Sequence, residues 1–401
     1  MKVAYYVSRF PAVSETFVVR ELDAVAADPA IEVELRALFP PPRETVVHPA
    51  ALAWVARTHR PGPVAGLAAL AWWLVRRPRA TVAVLGTVTA AYGRVPRVLP
   101  RALATVALAA AHARGLRADH VHAHFASYPA LAAWVAWRLT GTPYSFTAHA
   151  HDLFIHQAML ARKAADAAFV VAISEYNRRF LAEHAGTGPA VHVVHCGVEP
   201  ERFPFRPREP GSPPRIACVA TLKQQKGHAV LLHALAGLDG ARLDLVGDGP
   251  ERAALEALAE RLGVADRVVF HGSLPEAAVA ELLAAADAFV LPSVIGPDGD
   301  MEGIPVALME ALAAGVPVAA TRQSGVPELI EDGRTGYLAE PGDADSLRDA
   351  LLRALSAPPS VAAEGRALVE REFDQRSSAG RLVDLFTTVS GGAGSFGRSA
   401  G

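Results

Sequence analysis

The residues of this 401-residue chain best suited to chemistry are two glutamates separated by seven residues, a lysine before a glycine, and a histidine just past a strand. Glu302 and Glu310 flank a helix start in Glu302-Gly303-Ile304-Pro305-Val306-Ala307-Leu308-Met309-Glu310. Pro305 fits the first helical turn, where a missing N–H costs nothing and φ is already set. Gly315 reads as the residue after the C-cap, and Pro317 stops continuation. Roughly ten residues of helix remain, with Glu310 about one and a half turns in. The unpaired N–H groups of Gly303 to Val306, with the positive end of the helix dipole, make a seat for a phosphate. One carboxylate beside that seat and one beyond it suit a ligand with a central diphosphate and hydroxyl-rich rings on both sides. The plainer alternative is that glutamates near a helix start merely suit its dipole, and that Glu310 is solvated.

Other candidates cluster at strand ends, where open parallel sheets hold ligands. Lys226-Gly227 closes the loop Ala220-Thr221-Leu222-Lys223-Gln224-Gln225, and Gly247-Asp248-Gly249 is a tight turn after the next strand. Ser14, Glu15 and Thr16 follow the first strand, either as a helix N-cap or as a ligand-lining loop. His120, His122 and His124 alternate and share one strand face. A zinc site would want further ligands with tetrahedral spacing, so no metal is assigned, and His124 at the strand end is expected to face the ligand. His149 and Asp152 follow the strand that ends at Thr147, and Ser174 reads as a helix N-cap.

The pattern from Glu302 to Glu310, then Gly315-Val316-Pro317-Val318 and Ser324-Gly325-Val326-Pro327-Glu328, resembles the family-4 retaining glycosyltransferases of GT-B fold. Asp298-Gly299-Asp300-Met301 is similar to the branch that makes exopolysaccharides of the colanic-acid type. The resemblance covers nearly the whole chain and is strongest from Ile216 to Gly342. It implies an α/β fold of two Rossmann-like domains facing across a donor cleft, with a C-terminal helix crossing back to the first domain. It also implies retention of configuration, a UDP- or GDP-sugar donor, a glycan, lipid-linked or small-molecule acceptor, and no required cofactor or metal. Thr147-Ala148-His149-Ala150-His151-Asp152 resembles the motif that places His149 over the donor sugar, with Asp152 orienting it or meeting the acceptor. His149, Glu302 and Lys226 are thereby the catalytic candidates. Lys226 and the N–H groups of Gly303, Ile304 and Val306, around Pro305, take the diphosphate region, Glu310 the ribose hydroxyls, and Glu302 the sugar hydroxyls. The edge at Gly272 and Leu274 takes the base, and Ser14, Glu15, Thr16 and His124 lie on the acceptor side. One departure stands out: Thr221 occupies the place of the family's phosphate-binding arginine, for which Lys223 is the available substitute. Asp298 and Asp300 resemble the metal-binding Asp-x-Asp of a different fold, a reading set aside here. The alternatives are a GT-B nucleotide-sugar epimerase and a non-catalytic nucleotide-sugar-binding assembly factor.

The elements that must position these residues alternate between strand and helix in two blocks. Residues 1–199 form the first expected domain, 200–214 a proline-rich linker, and 215–376 the second domain. A helix over 377–389 returns to the first domain, and a Gly/Ser-rich tail over 390–401 is expected to be disordered. The Ala-rich stretch from Pro49 to Arg114 reads as helical. At 51% hydrophobic and 20% charged the chain is globular in class, and a net charge of −2 gives no reason to expect nucleic acid. Cys196 and Cys218 alone make no disulfide framework, which favours a cytoplasmic setting. No signal peptide and no spanning run is read. Trp72, Trp73, Arg76, Arg77 and Arg79 place aromatic beside basic residues, suggesting peripheral contact with an anionic membrane; a core helix with a basic end is the other reading.

Overall fold

A computed structural model describes residues 1–12, 16–41, 49–155, 157–186, 190–206 and 211–392. Ser14, Glu15 and the tail beyond residue 392 lie outside these. The chain divides into two compact units, Met1–Val194 with the chain from Ala379 onward, and His195–Ser378.

The first unit holds six parallel strands: β1 Lys2–Arg9, β2 Glu32–Phe39, β3 His120–His124, β4 Tyr144–Ala148, β5 Phe169–Ala172 and β6 Val191–Val193. Their spatial order is β2-β1-β3-β4-β5-β6. Val3 to Val7 is buried on both faces, as expected for a central strand of a parallel sheet covered by helices. The chain runs outward from β1 to β2, then returns to β1's other side for β3, so the direction of winding reverses between β1 and β3. One face of this sheet packs against the helix Thr16–Ala26 and the C-terminal helix Gln375–Gly392, whose Ala379, Leu382, Val383 and Phe386 are buried with Tyr5, Leu22 and Phe169. Between β2 and β3 come the helices Pro63–Arg76, Pro78–Tyr92 and Leu99–Arg114.

The second unit repeats the plan with β7 Arg215–Val219, β8 Arg242–Val246, β9 Val268–Gly272, β10 Ala288–Leu291, β11 Val318–Thr321 and β12 Tyr337–Ala339. All pairs are parallel in the order β12-β11-β10-β7-β8-β9, so winding reverses between β7 and β10. The described part of the proline-rich stretch belongs to this unit. Val198 pairs with Asp374, Phe203 is buried in the core, and Arg366 Nη1 donates to Pro200 O at 3.1 Å and Phe203 O at 2.7 Å.

The helix over the two glutamates spans Val306–Ala313, two residues shorter than the ten expected, and Pro305 is its N-cap residue rather than part of its first turn. With ψ 128° Pro305 is extended, and its carbonyl accepts from Leu308 N at 3.1 Å. The C-terminal reading holds. Gly315 has φ 71°, and Val316 N donates to Ala311 O at 3.0 Å, the six-to-one bond of a Schellman motif.

Candidate functional site

In an open parallel sheet, ligands bind outside the carboxyl ends of the strands where the winding reverses. In the second unit that place is flanked by the loops after β7 and β10, and these carry Lys226 and Glu302. The two side chains form a direct ion pair, only 20% and 13% exposed. The β7 loop ends in a 3-10 turn, Gln224–Lys226, and Gly227 at φ 68° passes into the next helix. A Cβ on Gly227 would lie 1.8 Å from Pro292 O, so the two loops meet where only glycine fits. Gln225 O accepts from Val294 N at 2.8 Å, and Gln225 Nε2 donates to Asp300 Oδ2 at 3.2 Å. Ser324, after β11, donates its hydroxyl hydrogen to the carbonyls of Glu302 and Gly303 and so fixes the approach to the helix Val306–Ala313. Gly303, Ile304 and Pro305 are buried, Val306 is half-buried, and Glu310 lies buried in the second turn.

Neighbouring loops are laced to this one. Leu222 N donates to Asp248 O at 3.0 Å, and Gly247 N to Gly272 O at 2.8 Å. Gly272 has φ 69°, and Leu274 packs on the core. Thr221 and Lys223 are exposed on the β7 loop, with Lys223 N donating to Thr221 O at 2.8 Å. Asp298 accepts from Asp300 N at 3.2 Å, inside a turn closed by Gly299 N donating to Gly296 O. Sequence reasoning missed three polar side chains on these loops. Both ring nitrogens of His228, the hydroxyl of Ser293 and both amide atoms of Gln323 are buried with no hydrogen-bond partner among the described residues. An orphaned buried polar atom costs about 1–3 kcal/mol, so this edge fits a polyhydroxylated, charged ligand that supplies partners. Burial, with Lys226 beside it, pushes His228 down to about 4.

The first unit's reversal point, between β1 and β3, is built from histidine. His120, His122 and His124 do share one face, and β4 brings Ser145 and Thr147 alongside in register. Ser145 Oγ lies 2.7 Å from His120 Nε2 and 2.8 Å from His122 Nδ1, while His122 Nε2 lies 3.0 Å from Thr147 Oγ1. Burial pushes His120 down to about 3 and His122 well below the usual range, so both are neutral. His124 Nδ1 lies 3.2 Å from His149 Nε2, and its Nε2 lies 3.0 Å from Glu21 Oε1. Glu21 was not foreseen; it looks like an ordinary helix residue. Glu21, His122 and His124 form the one group among the described residues with spacing to hold a metal ion, although every ring nitrogen of the two histidines already has a protein neighbour.

The backbone of His149 is pinned from both sides. Its N–H donates to Asp152 Oδ1 and Oδ2 at 3.1 and 3.2 Å, and the Asn177 amide donates to its carbonyl. Ser174 caps the helix carrying Asn177, accepting from Asn177 N at 3.0 Å. Asp152 also accepts from Ala126 N at 2.5 Å, and the fully buried Lys163 donates to Ala126 O. Burial pushes the Asp152 carboxyl up and brings Lys163 down to about 7, the nearby Asp152 charge opposing that fall. Thr16 opens the helix Thr16–Ala26 and is half-buried. A pocket of about 280 Å³ adjoins, lined by Tyr92, Val95, Val98, Tyr128, Ile155 and Ala158 among others.

The aromatic–basic patch needs correction. Trp73 is buried, its Nε1 donating to Ala110 O at 2.9 Å, and Trp72 is half-buried under the guanidinium groups of Arg76 and Arg114. Gly66, Ala69 and Trp73, spaced at helical intervals, form the face that packs inward. The opposite face exposes Val64, Leu67, Leu74 and Val75, with Val82 on the next helix; Arg76, Arg77 and Arg79 are exposed beside them. From Thr45 to Ala118 the chain has ten arginines and no Asp, Glu or Lys, so with a net −2 overall the remainder carries −12. No helix among the described residues is long and apolar enough to cross a membrane.

The model of group 1 glycosyl transferases matches residues 200–367, and that of Glycosyltransferase Family 4 matches residues 44–202. The amylovoran biosynthesis glycosyltransferase AmsK of Erwinia amylovora is 31% identical over 96% of this chain and 99% of its own length. Escherichia coli K12 WcaL, named for colanic acid biosynthesis, is 30% identical over 97% of this chain and 100% of its own. Among solved structures, Anabaena HepE in complex with UDP superposes with a TM-score of 0.71 at 17% identity, covering 97% of this chain and 100% of that one.

Proposed function

The chain belongs to the group 1, family-4 glycosyltransferases, and from that premise we propose that it moves a sugar from a nucleoside-diphosphate sugar to an acceptor hydroxyl with retention of configuration. The observation that carries this reading is the Lys226–Glu302 pair at the second unit's reversal point, before the helix Val306–Ala313. Lys226 and the N–H groups at the helix start take the diphosphate, with Lys223 as an accessory cation where Thr221 replaces arginine. Glu310 takes the ribose hydroxyls, and the loop at Gly272 and Leu274 takes the base. Without donor, Lys226 and Glu302 neutralise each other. With donor, phosphate replaces Glu302 on Lys226, and the freed carboxylate accepts from the sugar hydroxyls. Negative charge builds on the departing diphosphate, and a preorganised cation and helix terminus stabilise it without reorganisation. His149 of the first unit binds a hydroxyl of the reacting sugars, and no metal is required in this scheme. The apolar pocket at Tyr92, Val98 and Tyr128 takes part of the acceptor, a glycan, a lipid-linked glycan or a glycosylated metabolite.

The test is nucleotide release from a panel of UDP- and GDP-sugars. One donor should turn over slowly in the wild type, and Lys226→Ala should lower that rate about 10²- to 10³-fold, the cost of losing one preorganised group on developing charge. Glu302→Ala should lower it as well. Undiminished release in Lys226→Ala would remove the reading.

A second reading, peripheral contact with an anionic membrane surface, is favoured by the acid-free arginine segment and its exposed apolar face. Each arginine near such a surface is worth about 1 kcal/mol. The chain should co-sediment with phosphatidylglycerol vesicles but not with phosphatidylcholine vesicles. Changing Arg76, Arg77 and Arg79 to Gln should release it, and binding that survives this change and high salt would refute the reading.

A further inference from the structure

We propose that Glu21 and His124 are positioning residues that hold His149 as its Nε2–H tautomer, leaving the Nδ1 lone pair to accept from a sugar hydroxyl. The proposal rests on the sugar-transfer reading above for its role, and on geometry together with the burial of His149 for the tautomer.

Glu21 lies one turn beyond Phe17 on the helix Thr16–Ala26, His124 ends β3, and His149 follows β4. Three elements distant in sequence thus meet in one line, from carboxylate to imidazole to imidazole, with gaps of 3.0 and 3.2 Å. A carboxylate only accepts, so the His124 nitrogen facing it, Nε2, carries a hydrogen. With that as the one ring hydrogen of His124, its Nδ1 is bare, and the hydrogen between the two rings belongs to His149 Nε2. Burial holds the His149 pKa well below the usual histidine range, with His124 adding to the effect. His149 is therefore neutral, its single ring hydrogen points at His124, and Nδ1 is an acceptor. Among the described residues nothing bonds that nitrogen. This is the logic by which a carboxylate fixes a catalytic imidazole in other enzymes, here extended by one ring.

The surroundings hold the line rigid. The Tyr5 hydroxyl donates to Glu21 Oε1 at 3.2 Å and fixes the carboxylate. Phe125 and Phe17 flank the His149 ring, with centroids 4.5 and 4.9 Å away. Phe125 reaches its place with φ 80°, in the left-handed region that a bulky residue rarely adopts. His122 does not compete for His124, because Ser145 and Thr147 occupy both its nitrogens.

The test uses the full chain labelled with 15N-histidine. Two-bond 1H–15N correlation spectra at neutral pH should show His149, assigned through its loss in His149→Gln, as the Nε2–H tautomer. In Glu21→Gln the amide can donate as well as accept, so His149 should become a mixture of tautomers. For whichever sugar nucleotide the wild type turns over, Glu21→Gln should lower kcat about 10²-fold, the lower end of what a positioned acid–base group contributes, with KM little changed. His124→Asn places an amide oxygen near the position of Nδ1, and should keep the tautomer and recover part of kcat. A wild-type His149 carrying hydrogen on Nδ1 overturns the proposal, as does a folded Glu21→Gln enzyme with unchanged kcat. If the tautomer is found but no donor turns over, the transfer reading and the role fall, while the tautomer stands.

Discussion

The two reversal points are built on the same plan and finished in opposite ways. In the first unit the point between β1 and β3 is filled by buried imidazoles that use one another, two hydroxyls and one carboxylate as partners, with His120 Nδ1 left without one among the described residues. In the second, between β7 and β10, a lysine and a glutamate face each other beside buried polar atoms that have no protein partner among the described residues. A network whose members mostly bond one another is rigid and specifies orientation, whereas a charged edge with several unpartnered polar atoms is poised to accept a ligand. The difference assigns shape and hydrogen placement to one unit and charge to the other.

Acid should separate them most strongly. Burial holds His112 and His120 near 3 against 6.5 in the unfolded chain. Below about pH 6.5 the unfolded chain therefore binds protons that the folded first unit refuses, and stability falls as pH drops, by about 2 kcal/mol for each residue by about pH 5. All five tryptophans, Trp54, Trp72, Trp73, Trp134 and Trp137, lie in that unit. Tryptophan fluorescence should report its loss at a higher pH than far-ultraviolet circular dichroism reports loss of the remaining helix; coincident transitions would erase the contrast. Gly227→Ala should come next, at about 2–3 kcal/mol, because the left-handed φ and the Pro292 carbonyl both oppose a methyl group. Its thermal midpoint should fall while the tryptophan signal at room temperature is unchanged. The smallest effect is expected of Gln323→Met, which removes an unpartnered buried amide at nearly constant volume. It should raise the ligand-free midpoint by about 1 kcal/mol equivalent while raising KM for the donor. A lower midpoint would mean that Gln323 already has a partner.

Much of this was legible in the chain itself. Proline and glycine punctuation located the helix behind Glu302, because those residues constrain the backbone wherever they occur. Alternation put three histidines on one face, because strand geometry has period two. Pro305 shows the limit, since its fixed φ suits both the N-cap and the first turn, and only the ψ of 128° separates them. Glu21 was not legible, because its role depends on a partner 103 residues away. Lys163 likewise reads as a surface residue until the Ala126 carbonyl is found above it. Trp73 was not legible as a core residue because the face of its helix that packs inward is set by a partner in the helix Leu99–Arg114, where the Ala110 carbonyl accepts its Nε1–H.

The glycine contacts at the second reversal point have a consequence for exchange of parts between relatives. Gly227 lies against Pro292, Gly247 against Ala220 and Gly249 against Leu222, each so close that a Cβ would fall within 2.4 Å of a carbonyl oxygen. The loops after β7, β8 and β10 are therefore cut to one another's backbone, like adjoining pieces of a single casting. A chimera that imports one of them alone inherits a mismatch of main chain against main chain, which no choice of side chains relieves. Donor preference should move between members of the family as a block containing 220–227, 247–251 and 292–303 together, and resist transfer one loop at a time.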